Sequence, residues 1–227
     1  MSLVGRLRQL FWIVVVIGAV ALIDSDFVVI CAAAIAIVAI AIETRAPVQA
    51  LGLGRPRSFV RAIVVGIGAG IALLLFSKLL LTPLVEALTG IPRDLSVFDD
   101  LRGDTKAYFL LLPRIWLGAA ICEEIVFRGF LIGRIEAAFG APSRLATGAA
   151  VLLSSVVFGA AHAYQGPTGI VITGILGLVF AIVFVSGGRN LWLNIVVHGV
   201  YDTLSLALVL TSTDRVFSEL GYRLIPY

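Results

Sequence analysis

The chain has 227 residues, 60% of them hydrophobic and 14% charged, with a mean hydropathy of +1.07. A soluble globular domain is roughly half apolar and about a quarter charged, so this composition belongs in a bilayer and leaves no room for a separate soluble domain. The formal net charge of +3 comes from arginines at segment ends, not from a basic face, which argues for topology and against nucleic acid as a partner.

In chain order, apolar runs extend from Leu10 to Ile23, Phe27 to Ile42, Val60 to Leu81, Tyr108 to Cys122 and on past Glu124, Thr147 to Ala163, Ile170 to Ser186, and Leu191 to Leu210. They are continuous, not alternating, and a lipid-embedded backbone must satisfy its own polar groups, so they are predicted to be helices. With about 20 apolar residues per crossing, the expected fold is all-α, a polytopic transmembrane bundle of about seven (six to eight) spans. Arg6 and Arg8 precede the first run, and Arg45, Arg55, Arg57 and Arg61 follow the second. Arg128, Arg134 and Arg144 follow the fourth, and Arg189 lies between the last two. The positive-inside rule makes these ends, the N-terminus included, cytoplasmic, in a multi-pass inner (plasma) membrane protein. The turn from Asp24 to Asp26 and the segment from Thr82 to Lys106, with Asp94, Asp99, Asp100 and Asp104, then fall outside. Pro83 and Pro92 predict a loop or interfacial helix in that segment, and Pro113 places the start of the fourth span near Arg114. The Arg-bearing start and Ala19-Val20-Ala21 also fit a cleaved signal peptide, but a retained helix is the favoured reading because a membrane bundle follows. Gly66, Gly68, Gly70, Gly174 and Gly177 are expected to let helices approach closely. Cys31 and Cys122, lacking CxxC spacing, are expected to be packed thiols.

An ionisable side chain at mid-span costs about 2.5 to 3.5 kcal/mol on insertion scales, so each one is a functional candidate. They fall in three places. In Cys122-Glu123-Glu124-Ile125-Val126-Phe127-Arg128-Gly129, residues 124 and 128 are one helical turn apart, so Arg128 can neutralise Glu124 while Glu123 points elsewhere and stays free. Taken alone, such a cluster is as readily explained by buried ion pairs that anchor helices. The second place is Phe158-Gly159-Ala160-Ala161-His162, and the third runs from Trp192 through His198 to Asp202. The chain has two histidines. Both lie in or at the ends of spans with carboxylates nearby, which argues against an incidental buried histidine.

These motifs, EEIVFRG at 123–129, FGAAH at 158–162 and HGVYD at 198–202, resemble in order those of the CAAX-processing and bacteriocin-processing (CPBP, formerly Abi) intramembrane endopeptidases, which include the type II CAAX prenyl proteases. The resemblance covers roughly Trp116 to Leu206. The chain reads as a single membrane domain over 1–227, with N-terminal spans and an external loop in 1–106 and a catalytic core carrying the three motifs in 107–212. The resemblance implies hydrolysis of a peptide bond in a membrane-associated protein or peptide, including prenylated CaaX-type substrates, with Glu123 and His162 activating water. Glu124 and Arg128 would hold the local charges, and His198 and Asp202 would complete the pocket.

Two mechanisms stay open. In one, no cofactor is required, Glu123 is the base, and Asp202, where some relatives have Asn, is protonated or orients His198. In the other, as the family's metalloprotease name suggests, Glu123, His162 and His198 bind zinc. The first is favoured, since HExxH is absent. Because His162 falls near the outer end of a straight fifth span, a broken helix there, ended by Gly166 and Pro167, and a water-filled cavity are expected. A non-catalytic immunity or scaffold protein and a proton-coupled or metal transporter are the competing readings.

Overall fold

The computed structural model describes residues 2–22, 27–140 and 143–224. These form helices, with no strand among the described residues, so the all-α bundle expected from hydropathy is the observed architecture. The turn predicted at Asp24 to Asp26 lies outside the described residues. The helices are α1 (Leu3–Leu22), α2 (Phe27–Glu43), α3 (Pro47–Ala50), α4 (Phe59–Phe76), α5 (Thr82–Thr89), α6 (Thr105–Arg114), α7 (Gly133–Ala138), α8 (Arg144–Ala160), α9 (Gly166–Ser186), α10 (Leu191–Leu210) and α11 (Asp214–Leu224). A π-helical turn at Ser77–Leu81 joins α4 to α5, and a π-helical stretch at Ile115–Ile132 joins α6 to α7. Each of the apolar runs falls on a helix. Those at Leu3–Val20, Phe59–Thr89, Ala163–Ser186 and Leu191–Leu210 are long and apolar enough to cross a membrane.

Polar residues just ahead of apolar runs start the helices. Ser58, Asp104, Ser143 and Asn190 each accept a backbone N–H from the first turn of α4, α6, α8 and α10, respectively, satisfying a donor that no helical carbonyl can reach. Asp104 thereby begins the helix at Thr105, ahead of the start near Arg114 expected from Pro113, which sits inside α6. Pro83 also lies within continuing helix, where a loop or interfacial helix was the expectation. A proline lacks the N–H for its i−4 carbonyl and crowds it. The π-turn at Ser77–Leu81 immediately before it changes the hydrogen-bond register, and Gly221 of α11 packs against the Lys78 and Leu79 carbonyls there.

Glycines set the central contacts. A Cβ on Gly66 or Gly70 of α4 would lie 2.6 Å and 2.9 Å from Val196 and Val200 of α10, and one on Gly177 of α9 would lie 2.8 Å from Phe158 of α8. Gly174 meets the α8 backbone at ordinary contact distance, whereas Gly68 has no neighbour within 4 Å and makes no helix contact of the expected kind. Cys31 and Cys122 are half-buried free thiols.

One end of the bundle is tied by Arg189 to Glu136 at 2.7 Å, by Arg8 to Glu43 at 3.2 Å, by the Arg134–Glu43 ion pair, and by Leu191 N–H to Gly52 O at 2.8 Å. The opposite end is tied by Arg102, both of whose terminal nitrogens donate to Asp214 at 2.9 Å. There, too, the Asp94 amide donates to the Gln165 carbonyl at 3.1 Å and the Gly103 amide to Leu210 at 2.9 Å. The break expected near His162 is present. α8 stops at Ala160, a 3₁₀ turn occupies Ala163–Gln165, and α9 starts at Gly166. Gly166, at φ +73°, and Pro167 begin the next helix here, the positions where a positive φ and a missing N–H are best tolerated.

Candidate active site

Glu123, Glu124 and Arg128 lie on the π-helical stretch Ile115–Ile132, a geometry that is rare and concentrated at functional sites. Glu124 and Arg128 are 0% and 1% exposed, and Arg128 Nη1 donates to Glu124 Oε1 at 3.0 Å. Arg128 Nη2 also donates to the Gly177 carbonyl at 3.2 Å, and the guanidinium lies 4.3 Å from the Phe158 ring centre and 5.1 Å from that of Phe180. Aromatic faces on this scale favour a desolvated cation. Glu124 is further held by His198 Nδ1 at 2.9 Å and by Asn194 Nδ2 at 3.2 Å, and Asn194 also donates to the Phe180 carbonyl at 2.8 Å. Both oxygens of this carboxylate are therefore held by three side chains from its own helix and α10, the condition under which a buried charge is tolerated.

Glu123 is held differently. Its Oε2 is buried without a hydrogen-bond partner among the described residues and lies 3.9 Å from His198 Nε2. Asp202 Oδ2 stands 3.3 Å from the same nitrogen, so His198, stacked on Phe180 with ring centres 4.7 Å apart, has a carboxylate at each ring nitrogen. At the broken helix, His162 Nδ1 is 2.8 Å from the Phe158 carbonyl. A carbonyl can only accept, so Nδ1 carries the hydrogen and the lone pair of a neutral ring is on Nε2. Glu123, His162, His198 and Asp202 all line one cavity of about 200 Å³ between the helices. The structure thus brings these four together at the cavity wall and places Glu124 and Arg128 beneath it.

Several groups around this cavity escaped the sequence reading. Asn194 is fully buried, and its signal was a polar residue one turn before His198 in an apolar run. Arg93 donates through Nε at 2.9 Å, and again through Nη2, to Gln165 Oε1, which turns the Gln165 amide so that Nε2 donates to Tyr164 Oη at 2.9 Å. Tyr164 therefore keeps its own hydroxyl hydrogen for another acceptor, and both Tyr164 and Arg93 line the cavity. These residues come from a loop and a 3₁₀ turn, where no periodicity marks them. Trp116 packs against Gly199, next to His198, where a Cβ would come within 2.6 Å of its ring.

The set Glu123, His162 and His198 was the candidate for zinc. Among the described residues no group of three His, Cys, Asp or Glu side chains is gathered so as to hold a metal ion. His198 Nδ1 is hydrogen-bonded to Glu124, and Asp202 Oδ2 lies 3.3 Å from its Nε2.

A helical membrane bundle with carboxylates and histidines around an internal cavity is the class defined by this fold and site. Residues 105–204 match the model of the type II CAAX prenyl endopeptidase Rce1-like family, the stretch that holds all three motifs. The resemblance read from those motifs is borne out there, and the match supports a membrane-embedded CAAX-type endopeptidase in general. No curated protein and no solved structure matches the chain.

Proposed function

We propose that this chain is an intramembrane endopeptidase of the inner (plasma) membrane, N-terminus cytoplasmic, that hydrolyses a peptide bond of a membrane-associated protein or peptide. Prenylated CaaX-type tails are one member of that substrate class. The observation that carries the reading is the partnerless buried oxygen of Glu123, facing a cavity shared with His162, His198 and Asp202. A buried carboxylate oxygen is costly to leave unsatisfied, so it favours a water or substrate group that enters the cavity. Glu123 takes a proton from that water, with His162 Nε2 accepting a hydrogen bond from it, and the hydroxide adds to the scissile carbonyl carbon. The developing oxyanion is met by the His198 Nε2–H, oriented by Asp202, and by the Tyr164 hydroxyl. Collapse of the tetrahedral species expels the amine as Glu123 returns the proton to it, which leaves a carboxyl and an amino terminus.

Glu124 and Arg128 touch no reacting atom in this scheme and act as positioning residues. No step requires a metal ion, so exhaustive chelation is expected to leave activity intact, and a stoichiometric zinc requirement would overturn this mechanism. The test of the function is mass spectrometry of membrane-associated peptides from cells expressing wild type or Glu123→Gln at matched levels. New peptide ends confined to wild type are expected and would name a substrate. Identical profiles from two folded, inserted proteins would favour an immunity or scaffold role.

A further inference from the structure

We propose that Gln165 is a positioning residue of the reaction. Held by Arg93, its side-chain amide sets the direction of the Tyr164 hydroxyl and keeps that hydrogen free for the oxyanion. The task given to the hydrogen rests on the endopeptidase reading, but the direction of the hydrogen bonds does not.

A guanidinium has donors only. Arg93 Nε donates at 2.9 Å and Nη2 donates as well, so the Gln165 atom that faces them is the amide oxygen. The amide nitrogen is then turned toward Tyr164 and donates to its Oη at 2.9 Å. A phenol oxygen that accepts from Gln165 has to send its own hydrogen elsewhere, and Tyr164 lines the cavity with its ring centre 5.7 Å from that of His162. Turned over, the amide would set its NH2 against the guanidinium and forfeit charge-assisted hydrogen bonds, which are about twice as strong as neutral ones. The charge of Arg93 therefore polarises the relay from Arg93 through Gln165 to Tyr164 in one sense.

The members of the relay are themselves held. Gln165 is 4% exposed and lies against Gly169, where a Cβ would come 2.3 Å from its own Cβ, so the side chain occupies a slot that glycine leaves open. The Gln165 carbonyl accepts from the Asp94 amide at 3.1 Å. The Arg93 amide donates to Glu86 Oε1 at 2.8 Å, and the other oxygen of that carboxylate accepts from the Tyr222 hydroxyl of α11. Thr168 Oγ1 donates to the Ile91 carbonyl at 2.7 Å, which ties the same loop to the first turn of α9. The loop, α5, α9 and α11 together fix residue 93 against residue 165. A donor aimed at developing charge is effective when its direction is set before the reaction by neighbours that do not move. A contact that served only to tie the loop to α9 would need the strength of this arrangement but not its polarity.

Gln165→Glu separates the two roles. An ionised carboxylate keeps the length of the side chain and gives Arg93 an acceptor with a charge added, but its second oxygen can only accept, so Tyr164 has to give its hydrogen to residue 165. The purified full-length proteins are compared by melting temperature, by turnover of a peptide identified from the wild-type profile, and by the intensity ratio of the tyrosine Fermi doublet in ultraviolet Raman spectra. Each spectrum is taken as a difference from the same protein carrying Tyr164→Phe. Expected are an undiminished melting temperature, turnover lower by about a hundredfold with no further loss on adding Tyr164→Phe, and a fall in the doublet ratio, which reports a phenol that donates and no longer accepts. Should Gln165→Glu fail to fold, Arg93→Met frees the amide and is expected to lower turnover and ratio together, while Arg93→Lys keeps a donor and is expected to recover both. An unchanged doublet ratio overturns the proposal, as does wild-type turnover in Gln165→Glu when Tyr164→Phe is impaired. A shifted ratio with Tyr164→Phe fully active supports the direction of the relay and overturns the oxyanion role given to Tyr164, so the two failures are read separately.

Discussion

Arg128→Met isolates what the buried ion pair contributes. The pair is sealed from solvent at both ends and its short contact is 3.0 Å, so removing the guanidinium strands Glu124 in a low-dielectric interior. Breaking a buried pair in this way costs about 3–5 kcal/mol. Glu124 keeps His198 Nδ1 and Asn194 Nδ2 as partners, which places the cost near the lower end, while the lost stacking of the guanidinium on Phe158 and Phe180 adds to it. A loss of about 3 kcal/mol lowers the folding equilibrium constant by roughly a hundredfold. The double variant Glu124→Gln with Arg128→Met leaves neither charge stranded and is expected to cost less than the two single changes together by about 1 kcal/mol or more. Equilibrium unfolding in mixed micelles, followed by tryptophan fluorescence, measures all three. A single-variant cost below about 1 kcal/mol, or strict additivity in the double variant, would refute the assignment of this pair as the structural anchor of the site.

Tyr164→Phe removes a hydroxyl proposed to meet the oxyanion and is expected to lower turnover by about a hundredfold with little change in melting temperature; unchanged turnover on a peptide identified by mass spectrometry would remove Tyr164 from the mechanism. Gly129→Ala would place a Cβ 2.5 Å from the Leu51 carbonyl, a backbone atom, so a destabilisation of about 1–3 kcal/mol is expected in detergent melting, and an unshifted transition would show that this contact is loose. Asp214 gives a pH signature. Burial pushes its carboxyl up, but the hydrogen bonds and charge of Arg102, with Lys78 and the Arg215 amide, outweigh burial and hold it below the ordinary value of 3.8. A carboxylate lowered on folding contributes stability in full above that ordinary value, and the contribution disappears as pH falls through the lowered one. Wild type should therefore exceed Asp214→Asn in stability at neutral pH, with the two converging in acid below pH 3.8. A stability gap that does not narrow there would assign the effect to packing.

The bundle was legible because hydropathy is a property of whole segments. Long apolar runs admit few backbone solutions in lipid, and each run falls on a helix. The grouping of Glu123 with His162, His198 and Asp202 was legible for a related reason, since ionisable side chains in such runs are expensive and few. Departures arose where local chemistry changes the register. Pro113 read as the start of a span and Pro83 as part of a loop or interfacial helix, but each sits in a helix joined to a π-helical stretch, a non-local choice of hydrogen-bond register that no composition window reports. Arg93, Gln165 and Tyr164 were invisible for the opposite reason. Polar residues in connections are the norm, and only the fold places residue 93 against residue 165.

Adjacent carboxylates in one helix acquire different tasks because their surroundings differ more than their positions. Glu124 faces the bundle interior, where both its oxygens are met by Arg128, His198 or Asn194, and its charge is fixed in place by donors that would be costly to strand. Glu123 faces the cavity with an oxygen unpaired, so it is the carboxylate that can exchange a proton with something that enters. The cluster that fixes Glu124 lies beside Glu123, and the Phe158 and Phe180 rings that flank its guanidinium also wall the cavity. Water held against a low-dielectric wall feels the charge of an ionised Glu123 more strongly than it would in bulk. Substitutions at Glu124 should accordingly appear first as instability and those at Glu123 first as lost turnover, although the two residues are neighbours in the chain.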